Sequence, residues 1–437
     1  MALTGVSNST VTVEETGASK RAAMAVVTSL FFVWGFLTCL NDILIPHLRT
    51  IFDLNFAEVM LVQFVWFTGY AVFAIPAGKL VERIGYKPTM VIGLLTMATG
   101  ALLFLPAASV PAFSYFLAAL IVVSAGITAL QVSANPYVAI LGPPATASSR
   151  LNLAQAFNSL GTTIAPYFGS VLILTAATMT PEAVKQLPPA AFQAYRITQA
   201  SSVKMPYLFI ALTLVILALV IFFFKLPRIR TGTDKVADAA NTDQPLDSIW
   251  RHRNLVLGVV GIFVYVGAEV AIGSFLVNYL SLPEIGGMSQ QSAAKYVSFY
   301  WGFAMIGRFA GAAILQKVQA GKLLGLVAVV AGALVLLSMS SFGSLAMWSI
   351  IFVGLFNSVM FPSIFTLGIA GLGPLTGRAS GLLVTAIVGG AVLPELEGLL
   401  ADRIGIHHAF IIPVLCYIFI AYYGFKGSKA RTATAEA

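Results

Sequence analysis

The chain has 437 residues, of which 58% are hydrophobic and 10% are charged, and its mean hydropathy is +0.90. Soluble domains carry about 25% charged residues, so this composition excludes a soluble globular protein and indicates a polytopic membrane protein. The formal net charge of +8 is spread over short loops and a linker rather than gathered in a stripe or arm, which argues against nucleic-acid binding.

Apolar stretches long enough to cross a bilayer recur along the whole chain. One of them, 205–224, contains no charged side chain and has the length of about 20 residues that a helix needs to span the hydrocarbon core. Alternating strand patterns are absent, and helices satisfy their own backbone groups in lipid. We therefore predict an all-α fold of twelve transmembrane helices, near residues 22–48, 59–80, 88–107, 112–142, 150–176, 205–225, 253–280, 291–316, 322–340, 343–370, 377–399 and 408–425.

A polar central segment separates six predicted spans from the next six. The order of motifs also repeats, since Asn135-Pro136 in the fourth span is echoed by Phe361-Pro362 in the tenth. Two six-helix halves of this kind are typical of parallel-repeat transporters, in which the solute binds near the midplane between the halves. The predicted parts are an N-terminal tail (1–21), an N-terminal half (22–225), a central loop (226–252), a C-terminal half (253–426) and a C-terminal tail (427–437).

Lys and Arg are distributed unevenly over the two sides of these spans. With the N-terminus in the cytoplasm, 18 of the 25 basic residues lie in cytoplasmic segments, six lie outside and one, Arg308, lies in a span. The positive-inside rule therefore predicts that both termini are cytoplasmic. The first apolar run is too long for the h-region of a signal peptide, so we interpret it as the first span. A polar stretch at 179–204 is then outside, where we expect a surface loop rather than a mobile cap.

The first span contains a carboxylate, Asp42, next to Asn41 and about two turns after Trp34. An ionised side chain near the bilayer centre costs roughly 2.5 to 3.5 kcal/mol, so such residues usually face a wet cavity and have a function there. A carboxyl group in an apolar cavity favours its neutral form, so Asp42 can take up a proton and release it in wetter surroundings. The alternative is a structural ion pair with Arg49.

A short basic turn, GKLVERIGYKP at 78–88, joins the second and third spans. Its two glycines permit a tight turn, and its charged residues can pair with neighbouring helix ends when the inner mouth closes. We predict a gating role for Lys79, Glu82 and Arg83. The alternative is an ordinary basic turn.

Amide side chains lie at or near the middle of several spans, together with aromatic ones. A pyranose presents hydroxyl groups at its rim and C–H groups on its faces, so amides and aromatics are the side chains that a sugar site needs. The alternative for each amide is a hydrogen bond between helices, worth roughly 0.6 to 2 kcal/mol. The candidate sugar ligands are Trp34, Asn41, Gln131, Asn135, Gln155, Asn158, Asn278 and Asn357.

Three more carboxylates and one arginine lie in the spans after the central segment. Glu269 is in the seventh span and Arg308 in the eighth, while Glu395 and Glu397 follow Pro394 towards the outer end of the eleventh. A spacing of two puts Glu395 and Glu397 on different sides of a helix, so one can face the cavity while the other pairs with Arg308 or reaches outward. We expect Arg308 to lock helices together rather than to bind the solute.

Seven segments spread over both halves carry a more specific signal. They are FFVWG (31–35), LNDIL (40–44), LQVSANPY (130–137), RLNLAQAFNS (150–159), YVGAE (265–269), GRF (307–309) and FPSIFTLG (361–368). Together they resemble the fucose-proton symporter family, which also contains bacterial glucose/galactose transporters. The turn at 78–88 resembles the loop signature of the major facilitator superfamily, although Val81 stands at its first acid position and Glu82 at its second. The resemblance covers nearly every span and implies a sugar transporter with the major facilitator fold.

The resemblance also implies roles for individual residues. Asp42 matches the first-span aspartate of the family, which takes part in proton coupling. Gln131 falls where the fucose-transporting branch has a glutamate, and Glu269 falls where that branch has a glutamine. Either Asp42 couples alone while Gln131 binds sugar hydroxyl groups, or Glu269 has taken over part of the coupling. This exchange of acid and amide favours the glucose/galactose branch.

The predicted function is symport of a hexose, D-glucose or D-galactose, with a proton by alternating access in a bacterial inner membrane. We expect a monomer in contact with lipid, a hexose as its small-molecule partner, no nucleic-acid partner, and neither cofactor nor metal. A sodium-coupled hexose or fucose symporter is the nearest alternative. A polytopic membrane enzyme is a remote alternative, because the sequence lacks the HExxH, GxSxG and Walker motifs.

Overall fold

The computed structural model describes residues 12–14, 20–52, 56–110, 112–172, 187–201, 203–230 and 249–429. Up to the central segment its elements are β1 (Thr12–Glu14), α1 (Lys20–Phe52), α2 (Phe56–Ile84), α3 (Tyr86–Ser109), α4 (Phe113–Ile140), α5 (Ala147–Leu172), α6 (Pro189–Ser201), α7 (Lys204–Phe223) and β2 (Arg228–Arg230). After it come α8 (Arg253–Ser281), α9 (Gln290–Ile314), α10 (Ala320–Met339), α11 (Gly343–Asn357), α12 (Met360–Ile369), α13 (Thr376–Thr385), α14 (Gly389–Ile404), α15 (Ile406–Ala409) and α16 (Ile411–Tyr422).

Eleven helical segments in the described part of the chain are long and apolar enough to cross a membrane. α5, at the place of the predicted fifth span, is not among them because it carries many polar side chains. Two of these, Ser149 and Asn152, bond to α9 of the other half of the chain. α5 is thus polar because part of its surface faces protein, and the predicted all-α membrane fold is confirmed.

The helices form two groups, α1–α7 before the central segment and α8–α16 after it. In the first group α1 packs on α5, and α3 packs on α4 and α7; in the second, α8 packs on α12, α14 and α16. α1 and α5 touch backbone to backbone, since a Cβ added at Gly35 would lie 2.1 Å from the oxygen of Asn158. Small residues permit such close crossings of membrane helices. The groups meet mainly where α5 packs on α9 and where α2 packs on α13.

The helix ends that adjoin the central segment lie at one end of the bundle, which we call the linker end. The Tyr137 hydroxyl, near the end of α4, donates to the backbone oxygen of Pro227 at 3.1 Å. Asn254, at the start of α8, donates to the backbone oxygen of Leu367 at 3.0 Å, near the end of α12. The linker end therefore contains the ends of α2, α4, α9 and α12 and the starts of α5, α8 and α13.

Two features outside the helix bundle depart from the sequence-based expectations. β1 and β2 pair antiparallel, with Thr12 opposite Arg230, so a short strand of the N-terminal tail joins the start of the central segment. The segment at 179–204, expected as a surface loop, contains the helix α6, which packs on α1 and α3. Residues 173–186 lie outside the described residues.

Span ten is broken between α11 and α12, at Ser358-Val359. Pro362 contributes to the break, because proline has no N–H to donate to the carbonyl four residues earlier, that of Ser358. The break divides the span into a longer helix and a shorter one, α12, that reaches the linker end.

Candidate functional site

A carboxylate and a guanidinium meet where the two helix groups adjoin. Glu269 Oε1 on α8 lies 3.9 Å from Arg308 Nη2 on α9, and the two side chains are 13% and 14% exposed. Arg308 also donates a hydrogen bond to the hydroxyl of Ser159 on α5. The guanidinium therefore links the acid of one helix group to a helix of the other group.

Tyr265 lies one turn before Glu269 on α8, so that the two side chains share one face of the helix. Its hydroxyl donates to Glu269 Oε1 at 2.8 Å, and the residue is 1% exposed. Glu269 is thus held by a neutral donor and by a cation. Both contacts weaken when a carboxylate takes up a proton, because hydrogen bonds to a charged group are the stronger ones.

Asn357, a predicted sugar ligand, lies at the end of α11, and both polar atoms of its side chain are hydrogen-bonded. Its Nδ2 donates to the Tyr300 hydroxyl at 2.8 Å, and its Oδ1 accepts from the Tyr417 hydroxyl at 2.7 Å. The residue is buried. In this conformation the amide connects α11 to α9 and α16, which is the interhelical role that the sequence left open.

The α4 residues Gln131 and Asn135 lie one turn apart and are buried. Gln131 Nε2 donates to the Tyr70 hydroxyl at 2.9 Å, and Trp34 lies near the same hydroxyl. Gln131 Oε1 and both polar atoms of Asn135 have no hydrogen-bond partner among the described residues. Leaving a buried polar group unpaired costs roughly 1 to 3 kcal/mol, so this face of α4 is suited to a polar ligand or to water.

Three further candidate ligands lie in different surroundings. Asn158 donates through Nδ2 to the backbone oxygen of Phe31 at 2.9 Å and so joins α5 to α1. Gln155, one turn earlier on α5, is buried. Asn278, near the end of α8, is exposed.

Asn41 and Asp42 fall within α1. Their side chains, and that of Arg49, lie outside the described residues. The proton-coupling role of Asp42 and the ligand role of Asn41 therefore stay predictions from the sequence.

An ion pair joins the two helix groups at the linker end. Arg378 Nε on α13 lies 2.7 Å from Glu82 Oε2 on α2. Lys79 and Arg83, which lie close to Glu82 on α2, are exposed. Of the three predicted gating charges, Glu82 is the one placed to tie the groups together here.

Hydroxyl groups of α5 extend this contact between the groups. The Ser148 and Thr366 hydroxyls are 2.5 Å apart, and Ser149 donates to the backbone oxygen of Ala312 at 2.6 Å. These bonds link the start of α5 to α12 and to the end of α9. The linker end is therefore closed in this structure.

The two acids of α14 lie on different sides of that helix, as their spacing predicts. Glu395 is exposed, whereas Glu397 is fully buried, and neither of its carboxylate oxygens has a partner among the described residues. Arg308 pairs with Glu269 and with Ser159 instead of with either of these acids.

Sequence reasoning missed several partners of the residues it singled out. The contacts described above are completed by the hydroxyl groups of Ser159, Tyr300 and Tyr417 and by the guanidinium of Arg378. A single hydroxyl group in an apolar span gives little signal in a sequence. For Arg378 there was a usable signal, because it follows a Leu-Gly-Pro turn just as Arg150 does in the first half.

This chain is similar in sequence and in fold to known proteins. The family model of the Major Facilitator Superfamily matches residues 24–393. A glucose/galactose transporter of Brucella abortus is 50% identical over 95% of this chain and 97% of its own length. The L-fucose-proton symporter of Escherichia coli is 35% identical over 94% and 93%. A crystal structure of the superfamily transporter FucP in the outward conformation superposes with a TM-score of 0.86 at 34% identity, over 93% of this chain and 99% of the other.

Proposed function

The chain belongs to the Major Facilitator Superfamily, and we propose that it imports a hexose, D-glucose or D-galactose, together with a proton by alternating access. It lies in a bacterial inner membrane, works as a monomer in contact with lipid, and has both termini in the cytoplasm, in keeping with the positive-inside rule. The linker end is then the cytoplasmic end. The relative named as a glucose/galactose transporter supports the choice of sugar, and the relative named as a proton symporter supports the choice of ion.

One observation carries the proposal: an acid lies at the junction of the helix groups, and the arginine that pairs with it also bonds to the other group. Arg308 is shared between Glu269 of its own group and Ser159 of the other. When Glu269 takes up a proton, the guanidinium stays in place with its counter-charge gone. An uncompensated buried charge is strongly unfavourable, so protonation weakens the state in which the groups are joined in this way.

A symporter must bind the sugar as well as the proton. We assign Gln131 and Asn135 as hydrogen-bonding ligands, because their unpaired amide atoms can accept from and donate to sugar hydroxyl groups. We assign Trp34, which lies near the Tyr70 hydroxyl that Gln131 bonds, as an aromatic contact of the sugar. Gln155 and Asn158 lie on the neighbouring α5. Asn41 and Asn278 complete the proposed set, whereas the predicted ligand Asn357 is held by Tyr300 and Tyr417 in this conformation.

The transport cycle follows from proton uptake by the acids and from sugar binding. With the linker end closed, the hexose and the proton bind from outside, where Asp42 and Glu269 accept protons. Binding of both ligands favours the conformation in which the linker end opens, by as much as their affinities for the two conformations differ. Release of the proton into the cytoplasm restores the pair of Glu269 with Arg308 and favours return.

The experiment is uptake of labelled hexose into proteoliposomes under an imposed pH gradient or an imposed sodium gradient. We expect concentrative uptake of D-glucose or D-galactose with the pH gradient, loss of accumulation with a protonophore, and counterflow without any gradient. Competition by unlabelled hexoses and by L-fucose ranks the substrates. Uptake that needs sodium and ignores the pH gradient would contradict the coupling ion while leaving the sugar assignment standing.

A further inference from the structure

The hydroxyl group of Tyr265 lies between two acceptors and has one hydrogen to donate. Glu269 Oε1 is 2.8 Å away, and the backbone oxygen of Asn357 is 3.1 Å away. Because a phenol donates a single hydrogen, one acceptor receives a full hydrogen bond only at the expense of the other.

Asn357 is the last residue of α11, where span ten breaks before α12 begins at Met360. The last carbonyl groups of a helix lack intrahelical donors and need another partner. The side chain of Asn357 is fixed by Tyr300 and Tyr417, which keeps its backbone oxygen facing Tyr265. The phenol is therefore one of the supports of the break.

α12, beyond the break, contacts α4 and α5 of the first helix group. The hydroxyl of its Thr366 is 2.5 Å from the hydroxyl of Ser148 on α5, at the linker end. A change in the direction of α12 would separate these hydroxyls. The break thus lies where a hinge for the linker end would be needed, since hinges absorb dihedral changes at the ends of elements.

We propose that Tyr265 is a positioning residue that transmits the protonation of Glu269 to the break between α11 and α12; this rests on the proposed proton-coupled function. With Glu269 charged, the phenol donates to its Oε1. When the carboxylate takes up one proton from the outer solution, an O–H bond forms on Glu269 and donates to Tyr265 Oη. The phenol hydrogen then turns to the oxygen of Asn357. Tyr265 keeps its proton throughout. Each protonation of Glu269 moves the hydrogen bond of Tyr265 to the backbone oxygen of Asn357 at the break.

Other titratable groups around Glu269 keep their charge during this exchange. α9 contributes the guanidinium of Arg308 and the phenol of Tyr300, α16 contributes the phenol of Tyr417, and α5 contributes the neutral Ser159. Free phenols ionise near pH 10 and guanidinium groups above about 12. Within the described part of this network, Glu269 is the group whose charge changes in ordinary buffers.

The acids of α14, which also packs on α8, belong to other surroundings. Glu395 lies on the exposed face of α14, and Glu397 is buried with no hydrogen-bond partner among the described residues. α11 and α12 present the neutral Asn357 and the ring of Phe361 to Tyr265. The switch therefore has one titrating member.

The test measures the width of the linker end as a function of pH. Spin labels are attached at Ile84→Cys and Lys317→Cys, two exposed positions, in full-length protein whose Cys39 and Cys416 are replaced by Ser. With D-galactose or D-glucose present, we expect acidification to raise the ratio of open to closed linker ends by about fivefold or more, the lower end of common coupling strengths. In Tyr265→Phe we expect a change of less than about twofold, while hexose affinity still depends on pH because Glu269 still titrates.

Tyr279→Phe is the matched control, because it removes another buried hydroxyl of α8, one that is 2.9 Å from the Ser338 hydroxyl. It should respond to pH like the wild type. A Tyr265→Phe protein whose linker end follows pH as fully as the wild type would overturn the proposal.

Glu269→Gln provides a second, independent variant in case Tyr265→Phe does not fold. Its amide donates to Tyr265 as the protonated acid does, so the part of the pH response that depends on Glu269 should be lost and the linker end should stay near the acidic wild-type ratio. A wild-type-like pH response in Glu269→Gln would also overturn the proposal. A wild-type protein that binds no hexose would contradict the proposed function, and this inference with it.

Discussion

Glu269 and Arg308 stabilise each other at the junction of the helix groups. Breaking a buried ion pair by removing one partner costs about 3 to 5 kcal/mol, because the remaining charge is uncompensated. Protonation of Glu269 has the same effect reversibly. This is why a single acid on α8 can bias the contact between two groups of helices.

Neutral replacements of the two proposed coupling acids should separate exchange from accumulation. For Glu269→Gln and for Asp42→Asn we expect accumulation driven by a pH gradient to fall about tenfold or more, since each removes a site that carries the proton. Counterflow of labelled hexose, which needs no net proton movement, should persist. Proteoliposome assays of both modes measure the two variants side by side.

Glu284→Gln is a suitable control, because Glu284 is an exposed acid in the turn after α8. It should accumulate hexose like the wild type. Full accumulation by Glu269→Gln would assign the coupling to Asp42 alone, the other alternative that the sequence left open.

The sequence indicated which residues are candidates for function more fully than it indicated which side chains they contact. Glu269 stood out because charge inside a span is rare, and its one-turn spacing from Tyr265 put the two on one face. The hydrogen bonds of the Asn357 side chain could not be predicted, since its partners Tyr300 and Tyr417 lie on helices distant in sequence. For the same reason the bond from Asn158 to α1 could not be told from a sugar contact.

At the scale of elements, the contact of α2 with α13 closes the linker end by backbone proximity. A Cβ added at Gly78 would lie 2.8 Å from the backbone oxygen of Gly377, and one added at Gly381 would lie 2.8 Å from that of Ala74. The ion pair of Glu82 with Arg378 lies beside this crossing. Such closeness is available only to glycine, so this crossing should be sensitive to small changes.

Gly78→Leu should therefore favour the open linker end. The added side chain cannot fit while α2 and α13 touch, so we expect the open-to-closed ratio to rise about tenfold, equivalent to about 1.4 kcal/mol. The alkylation rate of a cysteine introduced at Ala74, a buried residue whose backbone oxygen lies at the crossing, reports this opening.

Gly302→Leu is the matched control, because a Cβ at Gly302 on α9 meets no atom within 4 Å. It should leave the alkylation rate unchanged. Equal rates in Gly78→Leu and the wild type would show that the crossing does not limit opening.

Hydropathy predicted the spans because length and apolar composition determine which helices can cross lipid. It did not indicate which helices the polar residues of α5 contact: Ser149 and Asn152 bond to α9 and Ser148 to α12, while Asn158 bonds to α1. The pairing of β1 with β2 joins segments more than two hundred residues apart in sequence, and short strands of this kind carry little signal. The break of span ten could not be predicted from Pro362 alone, because Pro76, Pro106, Pro136 and Pro394 lie inside unbroken helices.

At the scale of the whole molecule, two groups of helices are joined at the linker end by an ion pair, hydroxyl contacts and a glycine crossing. Single contacts of this kind are individually weak, with exposed ion pairs worth about 0 to 1 kcal/mol. A closed state held by many small contacts can be opened by modest ligand energies. That property suits a carrier whose proton and sugar must together reverse its access.

The central claim is that hexose and proton move together, and proton influx caused by hexose tests it most directly. Proteoliposomes in weakly buffered medium, without any imposed gradient, receive D-glucose or D-galactose while the external pH is recorded. The account predicts that the medium becomes more alkaline on addition of the sugar, and that a protonophore or Glu269→Gln abolishes the change. Hexose influx with no change in external pH would contradict it.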